Sequence, residues 1–388
     1  MKDEMRIAVV HDYFTQLGGA EKVAEELYCM LPDSSLFATV ALPSCMPPRL
    51  REVQVQTSWM QRLPRIRDYY RLCFLLYPFA VRSLDLSGYD LVVSSSSGYA
   101  KGVRTSPHAI HVCYCHTPMR WVWNYQNYAS RESFGLSQRT LLPMFIRGLQ
   151  RWDEAASRQP DHFVANSRAV AERIRRVYHR SAEVIHPPIE TERFHPSHNR
   201  REDYYLVLSR LVPYKRIDLA VKACTQRGKK LLVIGDGPDR RSLEVMAGPS
   251  VCFLGRASDT EVEHHVARCR ALLFPGEEDF GMAPVEVAAA GRPTIAYRAG
   301  GALETIVENV TGLFFDEQTP ESLGDAIEVF ERQDWSVAVL RQHAKGFSVQ
   351  VFQDRFRSFL ERIDATLYAA QPTDSPSAMA ALAGSRAS

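Results

Sequence analysis

No stretch of this chain approaches the ~20 consecutive apolar residues that a membrane span requires. The opening residues, MKDEMRIAVV, hold no apolar run ending in a small-residue cleavage site and pass directly into a strand pattern. A cytoplasmic location is the resulting expectation. Of the 8 cysteines, no two form a C-x-x-C pair, so the usual zinc and dithiol spacings are missing and buried reduced thiols are expected. The G-x-G-x-x-G fingerprint is absent, which disfavours a dinucleotide-dependent dehydrogenase. The formal net charge is only +2, which leaves no global argument for nucleic acid; any cationic function has to be local.

What is present is an ordinary globular composition, 45% hydrophobic and 24% charged over 388 residues, enough for two domains. In the first half, strands are expected over 6–10 (RIAVV), 91–93, 110–114 and 162–165. A helix is expected over 19–31, with Val23, Ala24, Leu27 and Leu31 at near-helical spacing, and another from near Ala169, capped by Asn166 and Ser167. The second half repeats the rhythm with apolar runs at 205–208, 231–234, 251–254, 271–274 and 294–297. Strands alternating with helices predict parallel sheets covered on both faces. Two such series predict an α/β chain of two doubly wound domains, assigned to 1–190 and 200–350. The proline- and charge-rich stretch 186–203 marks the seam. Residues 351–367 read as a closing amphipathic helix, with Phe352, Phe356, Phe359, Leu360 and Ile363 on one stripe. The tail 371–388, rich in Ala, Ser and Pro without periodicity, is expected to be disordered.

The densest chemistry lies in 275–286, PGEEDFGMAPVE, behind the apolar run ALLF. It offers Glu278, a turn at Phe280 and Gly281, a helix from near Pro284 and Glu286 in that helix's first turn. Open α/β sheets bind ligands at the carboxyl ends of their strands. A helix N-terminus favours anions and carboxylates accept hydroxyl hydrogens, so the pairing suits a ligand with both phosphates and hydroxyls, such as a nucleotide sugar. A metal on Glu277, Glu278 and Asp279 is the competing reading, though consecutive acids rarely converge on one ion.

Residues 209–216, SRLVPYKR, follow another strand and place Arg210 and Lys215 around its carboxyl end. A guanidinium fork and a mobile ammonium can together hold a diphosphate and stabilise it as it leaves; two solvated loop cations are the alternative. Gly235, in GDGP, is either a structural turn or a ligand-facing backbone. Gly18 and Gly19 either let a ligand approach the backbone or form a plain tight turn. His116, in YCHTP, falls where a strand leaves the sheet. Residues 57–84 interleave Arg62, Arg65, Arg67, Arg71 and Arg82 with Trp59, Tyr69, Tyr70, Phe74, Tyr77 and Phe79. That segment is either a surface for anionic lipid headgroups or an amphipathic helix pair with a solvated face.

Together GGAE at Gly18, HTP at His116, ANS, SRLVPYKR, GDGP, FLG and the two glutamates Glu278 and Glu286 resemble glycosyltransferase family four, in an order that covers residues 6–367. YCHTPMRW and FPGEEDFG look closest to the mannosyltransferases of bacterial O-antigen and exopolysaccharide assembly. The resemblance implies the GT-B fold, two Rossmann-like domains facing each other across a cleft, with the C-terminal helix crossing back onto the first. It implies a retaining transfer from a nucleotide-diphosphate sugar, GDP-mannose by preference, onto a lipid-linked or saccharide acceptor, with no metal and no cofactor. Arg210 and Lys215 would grip the diphosphate, Glu286 the ribose and Glu278 the sugar hydroxyls. The amides of Phe280, Gly281 and Met282 would add phosphate and sugar contacts, His116 would touch the transferred sugar, and Gly18 and Gly19 would shape the acceptor side of the donor site. Where the family commonly has glycine after its first glutamate, this chain has Asp279, which is expected to alter contacts around the sugar. Peripheral contact with the inner membrane face through 57–84 would suit a lipid-linked acceptor. A sugar-nucleotide epimerase or glycogen-type synthase on the same architecture, and a non-catalytic nucleotide-binding protein, are the rival readings.

Overall fold

Parallel strands are buried on both faces and therefore read as nearly unbroken apolar runs. In the computed structural model, which describes residues 5–123, 136–197 and 202–363, such runs become the cores of two sheets. The first is built from β1 (Ile7–His11), β2 (Ser35–Ala38), β3 (Val55–Thr57), β4 (Leu91–Ser96), β5 (Ile110–Cys115), β6 (His162–Ala165) and β7 (Glu183–Val184). The second contains β8 (Tyr205–Leu208), β9 (Leu231–Ile234), β10 (Val251–Gly255), β11 (Leu272–Phe274), β12 (Thr294–Tyr297) and β13 (Gly312–Phe315). Their orders are β3-β2-β1-β4-β5-β6-β7 and β10-β9-β8-β11-β12-β13, and every pairing is parallel.

In each sheet the chain winds outward on one side, returns to the centre and winds outward on the other. The switch points, where ligand crevices form, lie between β1 and β4 and between β8 and β11. Segments singled out in the sequence follow the carboxyl ends of strands at or beside these points: Gly18 and Gly19 after β1, His116 after β5, the neighbour of β4, Arg210 and Lys215 after β8, and 275–286 after β11.

Strands β2, β3, β7 and β13 were not anticipated. Strands β3 and β7 are edge pieces with partly exposed side chains, too short to show a period. The other two are set beside turns, Asp33 and Asn309 both adopting left-handed backbone, and their four residues carry little pattern of their own. The helix at 275–286 begins at Met282, two residues before Pro284, so Glu286 lies beyond its first turn. The segment 57–84 is not a pair of long helices: it folds as a 3-10 turn, Trp59–Arg62, and two short helices, Ile66–Tyr69 and Tyr77–Arg82.

The final helix, Val349–Ile363, follows the second sheet in sequence but buries Phe352, Phe356, Phe359 and Leu360 in the core of the first, against Val9, Leu91, Tyr114 and Ile185. Four apolar side chains at helical spacing, each worth roughly 1.5–3 kcal/mol on burial, tie the end of the chain to its beginning. The tail 371–388 lies outside the described residues.

Candidate active site

Leaving β11, the chain turns at Gly276, where a Cβ would lie 2.7 Å from the Lys215 carbonyl oxygen. This close packing brings Glu278 onto Lys215, and the two side chains form an ion pair. Burial, followed by the charges of Arg120 and Arg210, pulls the Lys215 ammonium below the ordinary lysine range, while Asp279 opposes; contact with Glu278 also favours the charged form. Gly281 adopts φ +86° and caps the helix Met282–Ala289. A Cβ there would come 2.9 Å from the Phe274 ring, so glycine alone fits. The Phe280 ring is buried against His186 and Phe347, at 5.3 and 5.8 Å between centroids, which leaves only its backbone for a ligand. Among the described residues, the amides of Phe280, Gly281 and Met282 donate to no backbone carbonyl in the loops.

From the other lobe, the loop after β1 meets this surface. Arg210 is exposed and its Nη1 donates to Gln16 Oε1 across the crevice at 2.9 Å. Lys22 Nζ lies 3.8 Å from Glu286 Oε1. A Cβ on Gly19 would stand 2.7 Å from Met282 Sδ, so Gly19 lies directly against the helix Met282–Ala289, whereas a Cβ on Gly18 would meet Glu21 of its own lobe. Gly235 is different: its amide donates to the Gly255 carbonyl and a Cβ would collide with the Ser209 carbonyl oxygen at 1.8 Å. Its glycine is required by packing within the second lobe, and its amide is not free for a ligand.

His116 is the first residue beyond β5. Its amide donates to the Ser96 carbonyl at 2.9 Å, its carbonyl accepts from Asn166 Nδ2 at 3.0 Å, and its Nε2 lies 2.8 Å from Ser95 Oγ. Burial, then the neighbouring His11, holds the imidazole down to about 3, with Asp279 opposing. It is therefore neutral at ordinary pH and acts as a hydrogen-bonding group rather than a charge.

Asp279 is tied to the first lobe by three contacts. Its Oδ1 accepts from Arg120 Nη2 at 2.6 Å and from Arg173 Nη1, both from the first lobe, while its carbonyl accepts from Ser167 Oγ at 2.5 Å. Burial works to raise the Asp279 carboxyl, but Arg120 and Arg173 outweigh it and hold it below the ordinary range. Arg120 also lies 4.9 Å from the ring of Tyr214, next to Lys215. A second acid, Glu304, accepts from the amides of Arg168 and Ala169 at 2.8 and 3.4 Å, and its other oxygen meets His186 Nε2 at 3.0 Å. Thus a carboxylate from one lobe satisfies the start of a helix in the other. Sequence reasoning missed Arg120, Arg173 and Glu304. Arg120 was visible in YCHTPMRW, but its partner lies 159 residues away. The three consecutive acids part company: Glu277 is exposed, Glu278 pairs with Lys215 and Asp279 with the two arginines.

Two family models tile most of the chain. One described as Glycosyltransferase Family 4 matches residues 17–193, and one described as Glycosyl transferases group 1 matches 188–347. The chain is 30% identical over 189 residues to a GDP-mannose-dependent alpha-(1-6)-phosphatidylinositol monomannoside mannosyltransferase of Mycobacterium tuberculosis, covering 41% of this chain and 49% of that one. It thus spans about half the length of that relative. It is 25% identical to the alpha-1,3/1,6-mannosyltransferase ALG2 of Mus musculus over 89% of this chain and 94% of that protein. Among solved structures, sucrose-phosphate synthase from Thermosynechococcus elongatus superposes with a TM-score of 0.69 at 17% identity, over 94% of this chain and 100% of that one. Anabaena Alr3699/HepE in complex with UDP gives 0.68 at 17%, over 92% and 100%. The architecture is GT-B.

Proposed function

The chain belongs to glycosyltransferase family 4, and from that membership we propose that it is a retaining hexosyltransferase. It moves a sugar from a nucleotide-diphosphate donor, mannose from GDP-mannose, onto a lipid-linked or saccharide acceptor in cell-surface polysaccharide synthesis. The observation that carries this reading is the convergence of Arg210, Lys215, Glu278, Glu286 and the N-terminus of the helix Met282–Ala289 on one crevice faced by Gly18, Gly19 and the His116 strand end. The relatives named as GDP-mannose-dependent support the donor.

Arg210 and Lys215 hold the diphosphate, Glu286 the ribose hydroxyls and Glu278 the sugar hydroxyls. The amides of Phe280, Gly281 and Met282 contact phosphate and sugar. In the reaction the bond between the anomeric carbon and the phosphate oxygen breaks, its electron pair leaving with the diphosphate. The acceptor hydroxyl attacks from the same face and its proton passes to that phosphate oxygen, so configuration is retained without a protein nucleophile. The two cations and the helix N-terminus stabilise the departing charge, and no metal is required. Glu278 exchanges its Lys215 contact for sugar hydroxyls as the diphosphate takes over Lys215. The segment 57–84 supports approach to an anionic membrane: Trp59, Tyr69, Leu72 and Phe79 are exposed among exposed Arg62, Arg65, Arg67, Arg71 and Arg82.

The test is thermal shift against a panel of nucleotide sugars, then mass spectrometry of products formed with a polyprenyl-diphosphate-linked acceptor. Stabilisation by GDP-mannose and an acceptor mass increased by one hexose are expected. Conversion of the donor without acceptor would favour an epimerase, and no turnover with any donor would overturn the reading.

A further inference from the structure

A buried polar chain connects the helix Gly19–Met30 to His116. His11 and Ser95 are register partners on the parallel strands β1 and β4, and His116 follows β5 on the far side of β4. His11 Nδ1 lies 3.1 Å from Ser95 Oγ, and the same oxygen lies 2.8 Å from His116 Nε2. At the other end, His11 Nε2 faces Glu21 Oε1 at 3.9 Å. All four side chains are buried, with His116 the most accessible at 8%. Glu21 stands in the first turn of its helix, where the partial positive charge of the N-terminus favours a carboxylate. Its second oxygen is buried without a hydrogen-bond partner. The partly buried Tyr13 is close enough to feel the charges of both Glu21 and Arg210. Asp12 is occupied by the amides of Ser97, Tyr99 and Ala100, and Asp279 by its two arginines. Among the described residues no other carboxylate comes within ion-pair distance of His11.

A serine hydroxyl has one hydrogen. Among the described residues Ser95 Oγ has no partner besides these two imidazoles, so its hydrogen goes to one of them while it accepts from the other, and the two tautomers are coupled. An N–H on His11 Nε2 is attracted to the Glu21 carboxylate, whereas a bare lone pair there is repelled. With the proton on Nε2, His11 Nδ1 accepts from the Ser95 hydroxyl. Ser95 Oγ then accepts from Nε2–H of His116, and Nδ1 of His116 is left unprotonated. We propose that Glu21, acting through His11 and Ser95, is a positioning residue that fixes His116 as the Nε2–H tautomer, so that Nδ1 offers a lone pair to a hydroxyl of the transferred sugar. This rests on the transferase reading for its substrate but not for its geometry.

Two-bond proton–nitrogen correlation spectra of the full chain labelled with ¹⁵N-histidine report which ring nitrogen carries the proton, with His116 identified by its loss in His116→Asn. The wild type is expected to show His116 protonated at Nε2. Glu21→Gln, which removes the charge at nearly constant volume, is expected to move population to Nδ1–H. In Ser95→Ala the His116 tautomer no longer responds to residue 21. Turnover of Glu21→Gln should fall about tenfold with donor KM unchanged, the scale of one mis-set hydrogen bond. A wild-type His116 protonated at Nδ1, or identical tautomers in wild type and Glu21→Gln, would overturn the proposal. The spectra need no substrate, so they separate this inference from failure of the transferase reading, and once His116 is assigned a wild-type Nδ1–H signal overturns the proposal even if Glu21→Gln does not fold.

Discussion

Lys215 is paired with Glu278 within the second lobe and is also the cation proposed for the leaving group. Its charge is answered by that carboxylate, and in the proposed reaction it would face the departing diphosphate. Lys215→Ala is expected to lower kcat by ~10²–10³, the usual loss of a charge-stabilising donor, with the melting transition retained; unchanged turnover would remove Lys215 from the machinery. His116 and His111 set a second expectation. Burial dominates both shifts and holds them down to about 3 and about 4. The unfolded chain binds protons on them near the ordinary value of 6.5, so the folded state binds fewer protons as pH falls below that value. Stability contributed by the neutral imidazoles is complete above pH 6.5 and is lost progressively toward pH 4. The urea midpoint should be lower at pH 5 than at pH 7, and the difference should shrink in His116→Asn.

At the scale of elements, the loop–helix units after β8 and β11 are written locally in the chain. Gly276 and Gly281 are needed for close approach and positive φ, and these are properties of glycine itself. The segment 57–84 is less legible, because short turns separate its exposed arginines from the buried Tyr77, whose ring lies 5.4 Å from that of Tyr13. Replacing Arg65, Arg67 and Arg71 together by glutamate should abolish salt-sensitive co-sedimentation with phosphatidylglycerol vesicles, since each surface cation is worth about 1 kcal/mol there. Turnover on a water-soluble acceptor analogue should persist. Equal vesicle binding by wild type and variant would remove the membrane role.

For the whole molecule, Asp279 ties the second lobe to Arg120 and Arg173 of the first. Hydrogen bonds to charged groups are worth about 1.5–3 kcal/mol, and Asp279 makes two of them to arginines that would otherwise repel each other. Asp279→Gly, which removes the carboxylate from both arginines, is expected to increase the radius of gyration measured by small-angle scattering and to raise donor KM. An unchanged scattering curve would mean that closure is governed elsewhere, Glu304 at the helix Arg168–Tyr178 being the next candidate.

The sequence by itself determined the doubly wound α/β character, most central strands, the glycines and the cation and carboxylate pairs at strand ends. These follow from apolar runs, turn chemistry and spacing within about ten residues. It did not determine the partners of those charges. Asp279 meets Arg120 and Arg173 across 159 and 106 positions of chain, and Glu21 reaches His116 only because β1, β4 and β5 lie side by side. Charge has no periodicity to reveal such partners. Only the packing of two sheets, closed by a last helix that returns to the first, brings them within hydrogen-bond reach.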